Sequence, residues 1–296
     1  MKKEYNKIYK EVLKKSNKKL SPYRKLKSFY RQMKRLKPRS NRHYKKEKEI
    51  AQWYALGIGL LACSIDIQTD KEKEEYQHDS VVYFSLLTNI ANDILSVVNL
   101  VDNGFEFQAN NIIRNFIELI YTFLVVLLNP EKRKEYYDSG MLQNEYNVWS
   151  RNFKMSKLNE EIAKYDSKVM DEDLIIELRK MRKETYESYS SYNHNDYDIC
   201  VLSCYSPNRK KSTEDPDLEY NLWGACNYNG KNILESLNRI VWMTMLYFKH
   251  IISQKEYFDK NNYIGENTRN CWDDGIAILF LLEEEMKKLW KEQGEE

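Results

Sequence analysis

From Lys45 onward, apolar residues recur at every third or fourth position over long stretches, the spacing that lines one face of an α-helix. The period predicts helices over roughly 45–68, 71–102, 106–128 and 170–197, shorter pieces from 129 to about 166, and two closing helices near 218–250 and 268–292. Local stop signals agree with these bounds. Asp102-Asn103-Gly104 and Asn129-Pro130 each end a helical pattern, and the stretch from Asn208 to Asp217, with Pro207 and Pro216, reads as an exposed loop.

The first 44 residues carry a pattern of their own. Lys3 to Leu20 and Pro22 to Lys37 read as two short basic helices, with Ser21 in an N-cap position and Pro22 in the first helical position. Ile8, Val12, Leu13, Leu20, Leu26, Phe29, Tyr30, Met33 and Leu36 form an apolar ribbon among the lysines, and Pro38-Arg39-Ser40-Asn41 breaks the chain. The expected organisation is therefore a basic N-terminal arm, 1–44, and a helical bundle domain, 45–296, of about eight to ten helices.

Composition supports the all-α class. Nine Gly and five Pro in 296 residues leave few of the turns that a many-stranded sheet needs. Five widely spaced cysteines and a charged N-terminus without an apolar leader core point to a reducing, cytoplasmic setting. The longest apolar runs, Ala51 to Ile65 and Leu119 to Leu128, fall short of the roughly 20 residues of a membrane span, so no transmembrane segment is expected.

Charge changes the picture more than its total suggests. The net +2 combines +17 over residues 1–48, from 20 Lys/Arg against three Glu, with −15 over the remainder. A basic arm on an acidic body binds polyanions by counterion release, lies on an anionic surface, or folds back on the body. The arm residues read as nucleic-acid-binding are Lys14, Lys15, Lys18, Lys19, Arg24, Lys25, Lys27, Arg31, Lys34 and Arg35.

Two constellations could carry chemistry. Arg114 and Glu118 stand four residues apart beside core-like positions, so both charges share one helix face. Such a pair either fixes helix register or presents Arg114 to a phosphate or carboxylate in a polar cleft. Tyr186, Ser190 and His194 follow at the same interval and line up along two turns, where His194 is structural or titrates near neutrality as an acid or base. Metal sites are weaker: Glu75-x-x-His78 lacks the second Glu-x-x-His that a di-iron bundle needs, and Cys200, Cys204 and Cys226 with His194 make a bare four-ligand zinc possibility. There is no phosphate-cradling glycine loop, nucleophile elbow or metalloprotease His pair, and no metal or cofactor is expected.

The Arg114-x-x-x-Glu118 helix, preceded by Asp102-Asn103-Gly104 and Ala109, together with the Tyr186-x-x-x-Ser190-x-x-x-His194 helix, resembles a bacterial all-helical family in which these motifs recur in this order. The resemblance covers about residues 75–250 and implies a helical bundle, often encoded near mobile or defence-associated genes. More distantly, the arrangement is similar to the HEPN class of helical ribonucleases and toxins. That similarity implies His194 as acid or base toward an RNA 2′-hydroxyl, Arg114 as stabiliser of the transition-state phosphate, no metal, and a homo-oligomer whose cleft lies at the interface. The HEPN signature keeps its Arg on the His helix, where this chain has Glu187, Ser188 and Tyr189. The Arg must therefore come from another helix. The expected function is a defence or toxin-type effector acting on RNA, a possible ribonuclease through Arg114, Glu118, Tyr186, Ser190 and His194. The alternative is a non-catalytic nucleic-acid-binding or assembly subunit of a defence complex. RNA stands ahead of DNA as partner, with a partner protein of a defence system a further possibility.

Overall fold

The computed structural model describes residue 31 and residues 44–67, 77–139, 151–169, 172–193, 205–207, 218–220 and 229–294. The chain is an all-α bundle, as the periodicity predicts. Its first long helices are α1 (Lys45–Ser64), α2 (Gln77–Asp102) and α3 (Glu106–Leu128). Then come α4 (Pro130–Ser139), α5 (Met155–Ala163), the single-turn α6 (Asp166–Val169) and α7 (Glu172–Asn193). After a short strand pair, α8 (Gly230–Ile252), the single-turn α9 (Lys260–Tyr263) and α10 (Arg269–Gly294) complete it.

Helix α3 is the axis of the bundle. It packs against α2, α4, α5, α7 and α8, and every residue from Ile120 to Leu128 is buried. A helix apolar all round needs surroundings that exclude water, and here the neighbouring helices supply them. By length and composition, α2 from His78 and α3 are each apolar enough to cross a membrane, although no single apolar run in the sequence reaches that length. In the bundle that apolar surface is spent on neighbours: half of the α2 window and two thirds of the α3 window are buried.

The joints follow their sequence signals. Gly104 adopts φ 78°, its N–H donates to the carbonyl of Val101, and the N–H of Phe105 donates to the carbonyl of Leu100. This is a Schellman stop, which favours glycine because a Cβ is strained in the left-handed region. Between α3 and α4, Asn129 Oδ1 accepts from the amides of Glu131 and Lys132 at 3.0 and 3.2 Å, and Pro130 takes the first helical position.

Helix α10 lies along α1 at a small-residue crossing. A Cβ built on Gly275 would sit 2.8 Å from the carbonyl oxygen of Gly57, so the two backbones touch where neither residue has a side chain. Below this crossing, Ile65 bridges Ile264, and Asp66 N–H donates to the carbonyl of Tyr263 at 2.8 Å.

Three boundaries differ from the sequence reading. Leu218–Tyr220 is a strand, β2, paired antiparallel with β1 (Tyr205–Pro207), and α8 starts at Gly230 rather than near 218. Gly224, Asn227 and Asn229 explain the later start, because glycine and asparagine weaken a helix and Asn229 takes the N-cap place. The predicted loop 208–217 falls between the strands and lies outside the described residues. Helix α1 ends at Ser64, short of 68. Tyr44, which the sequence reading leaves in the arm, is buried to 1% exposure in the core and donates its hydroxyl to the carbonyl of Val101 at 3.3 Å. Of the arm itself only Arg31 is described, helical and exposed.

Candidate functional site

The N-terminal half of α3, before its fully buried stretch, carries Arg114 and Glu118 one turn apart. Arg114 Nη1 lies 2.8 Å from Glu118 Oε1, with side chains 12% and 22% exposed. Helix α7 brings Tyr186 to the same place. Arg114 Nη2 donates to the Tyr186 hydroxyl at 2.6 Å, and the guanidinium carbon stands 4.2 Å from the ring centroid. The two motif helices therefore meet through a hydrogen bond and a cation–π contact on a single arginine, which Glu118 of its own helix holds by an ion pair. Arg114 Nε is buried with no hydrogen-bond partner among the described residues.

Ser190 is spent locally: its hydroxyl donates at 2.9 Å to the carbonyl of Tyr186, one turn back along α7. His194 lies just beyond Asn193, the last described residue of α7, and so outside the described residues. Four of the five expected site residues are thus placed, and Arg114, Glu118 and Tyr186 form one polar cluster.

Tyr186 also lines a cleft of about 630 Å³ between α5 and α7. Its basic lining is Lys154, Arg179, Arg182 and Lys183, with Glu187 the one acidic lining residue. Arg182 belongs to a buried network that sequence reasoning missed. Asp166, fully buried at the start of α6, accepts from Arg182 Nη1 at 3.0 Å and from Arg182 Nη2 at 2.9 Å. It also accepts from Arg179 Nε at 2.7 Å and from the Tyr247 hydroxyl on α8. Burial alone would raise the Asp166 carboxyl, but these donors from Arg182, Tyr247 and Arg179 outweigh it and hold the group below the usual carboxylate range. Burial pushes the Tyr247 phenol up, against the opposing influence of Arg182. Arg179 and Arg182 share a face of α7 and Asp166 stands just upstream, yet Tyr247 is 81 residues away from Asp166. No local spacing marks that contact.

A second, partly buried pair ties the start of α2 to α4. Arg133 Nε lies 2.8 Å from Asp79 Oδ2, Arg133 Nη1 donates to the carbonyl of Val126 at 2.9 Å, and the Tyr263 hydroxyl donates to Asp79 at 3.2 Å. His78 beside it stacks on Tyr137 with ring centroids 4.2 Å apart. Among the described residues no three His, Cys, Asp or Glu side chains gather as a metal ion would require. Glu75 and the set His194, Cys200, Cys204 and Cys226 lie outside them.

The segment that holds these residues has relatives. Residues 80–220 match DUF5677, a family of unknown function. The DUF5677 segment runs from α2 to β2 and includes Arg114, Glu118, Asp166, Arg179, Arg182, Tyr186, Ser190 and His194. It leaves out the arm, α1, α8 and α10, and is narrower than the stretch the motif resemblance covers. No curated protein and no solved structure matches the chain.

Proposed function

We propose that the protein is a bacterial effector of the defence or toxin type that acts on RNA as a metal-independent ribonuclease. The observation that carries this reading is the 2.6 Å bond from Arg114 to Tyr186, which joins two motif helices 72 residues apart in sequence. In the reaction the ribose 2′-oxygen bonds to the adjacent phosphorus as the bond to the 5′-oxygen of the next nucleotide breaks; His194 takes the 2′-hydroxyl proton or gives a proton to the departing 5′-oxygen, and Arg114 answers the charge that develops on the phosphate. Glu118 and Tyr186 orient Arg114. The arm captures the RNA backbone through its Lys and Arg residues, by counterion release. The HEPN resemblance adds a second copy of the chain at the cleft.

One observation favours the alternative, a non-catalytic nucleic-acid-binding or assembly subunit. Arg114 already has a carboxylate and a phenol as partners, and Ser190 is bonded to its own helix, as side chains that only hold helices together would be.

Labelled single-stranded RNA, duplex RNA and duplex DNA, incubated with the full chain at low and moderate salt and then run on a denaturing gel, separate the two readings. The ribonuclease reading expects RNA cleavage that persists in a chelator and disappears in His194→Ala while the fold is retained. Binding without cleavage supports the assembly subunit. Deletion of residues 1–43, which leaves the core residue Tyr44 in place, weakens binding and flattens its salt dependence under both readings.

A further inference from the structure

We propose that the cleft between α5 and α7 is a binding site for a nucleoside monophosphate unit, its phosphate held by Lys154, Arg179 and Lys183 and its base seated against Met155 and Asn159. The phosphate part rests on the cleft's charge, and the choice of a ribonucleotide rests on the RNA reading above.

The charge is the first support. Lys154 and Lys183 are exposed at the cleft and have no ion-pair or hydrogen-bond partner among the described residues. Arg179 gives only its Nε to Asp166, which leaves both terminal amino groups uncommitted on a side chain 54% exposed. The nearby carboxylates of Glu160 and Glu161 are already paired with Lys157 and Lys164. Three cations with unspent donors therefore line one concavity against the single carboxylate of Glu187, and the net positive charge left over draws an anion into the cleft.

The walls supply the rest. A volume of about 630 Å³ is of the size that holds a small organic ligand, and far exceeds what a bare phosphate fills. Met155 and Ala163 make part of the lining apolar. Asn159 lines the cleft too, and its Oδ1 is buried with no hydrogen-bond partner, an unmet acceptor that a turn of the amide would present to the N–H edge of a base. Tyr186, a lining residue, accepts from Arg114 and keeps its own O–H free to donate to a ligand oxygen that reaches it. The bidentate Arg182–Asp166 pair fixes α7 beneath the site, which pre-organises the exposed cations above it.

The test is ligand-observed NMR with calorimetry on the full chain at low salt, using uridine 3′-monophosphate, uridine and inorganic phosphate as probes. The nucleotide is expected to bind at least about tenfold more tightly than either fragment, and Lys154→Glu and Lys183→Glu are each expected to weaken it about tenfold. Both positions are exposed, so these variants keep the fold, which thermal unfolding checks. Lys180→Glu on the same helix, outside the cleft lining, leaves binding unchanged. The proposal is overturned if the wild-type chain does not bind the nucleotide, if binding is equal in the two cleft variants, or if phosphate alone binds as well. RNA cleavage is read separately. Cleft-dependent nucleotide binding without cleavage sinks the ribonuclease reading and keeps this site, whereas normal cleavage in variants that have lost nucleotide binding sinks this site alone.

Discussion

Arg182 grips Asp166 with both terminal nitrogens, Nη1 to Oδ1 at 3.0 Å and Nη2 to Oδ2 at 2.9 Å, in a part of the bundle where the carboxylate is wholly buried. With Arg179 and Tyr247 it ties α6, α7 and α8 at one carboxylate. Taking one partner from such a cluster leaves a buried charge unanswered, which costs more than the intact pair contributes. Asp166→Ala is expected to lower the unfolding free energy by roughly 3–5 kcal/mol, and Tyr247→Phe by about 1–2 kcal/mol. Urea unfolding followed by far-ultraviolet circular dichroism measures both. A loss under about 1 kcal/mol in Asp166→Ala would mean that water reaches Arg182 in the folded chain.

Acid should reveal the same carboxylate. The folded Asp166 group titrates below its unfolded value, so its contribution is present above the unfolded value of about 3.9 and is lost as pH falls through the lower folded one. Glu283, buried between Lys249 at 3.0 Å and Lys287 at 2.7 Å, behaves alike: burial raises it, but Lys287 and Lys249 together hold it below the ordinary glutamate range. The wild-type unfolding free energy is expected to fall as pH drops below about 4, and that of Glu283→Gln to fall less steeply over the same interval. Parallel curves for the two proteins would show that Glu283 is not held low.

The bond between Arg114 and Tyr186 allows structure and chemistry to be separated. Tyr186→Phe keeps the ring under the guanidinium and keeps Glu118, but it leaves Arg114 Nη2 without its acceptor. The expected loss is about 1–3 kcal/mol, because the donor is charged and mostly buried. Ser190→Ala removes only a bond to the carbonyl of Tyr186 on the same helix and is expected to cost less than about 0.5 kcal/mol. If Ser190→Ala nevertheless abolishes RNA cleavage in a stable protein, its hydroxyl has a role that the bond to Tyr186 does not account for.

What could be read from the sequence divides along the range of the interactions. The bounds of α3, the stop at Gly104 and the shared face of Arg114 and Glu118 are all set within a few residues, and the periodicity carries them. The pairing of Leu218–Tyr220 with Tyr205–Pro207 depends on a partner across a loop, and three residues are too few to display a period of two. That Tyr186 would reach Arg114, or Tyr247 would reach Asp166, depends on how α7 and α8 pack on α3 and α6. No spacing along one helix encodes it. Tyr44 joined the arm in the sequence reading because charge surrounds it, and only packing against Val101 and Gly230 shows that it belongs to the core.

The crossing of α1 and α10 offers a test with opposite signs at neighbouring glycines. A methyl group on Gly275 would stand 2.8 Å from the Gly57 carbonyl oxygen and 2.9 Å from Leu61, and backbone cannot yield as a flexible side-chain tip can. Gly275→Ala is therefore expected to push the helices apart and cost about 1–3 kcal/mol. Gly59, two residues along α1 from Gly57, has nothing within 4 Å of a built Cβ. Gly59→Ala pays no steric cost and gains helix propensity, so it should stabilise the protein by about 0.5–1 kcal/mol. Thermal and urea unfolding of the two variants beside the wild type give the comparison directly. An unaffected Gly275→Ala would mean that α10 does not lie on α1 through Gly57 and Gly275, and a destabilised Gly59→Ala would mean that the space beside Gly59 is filled.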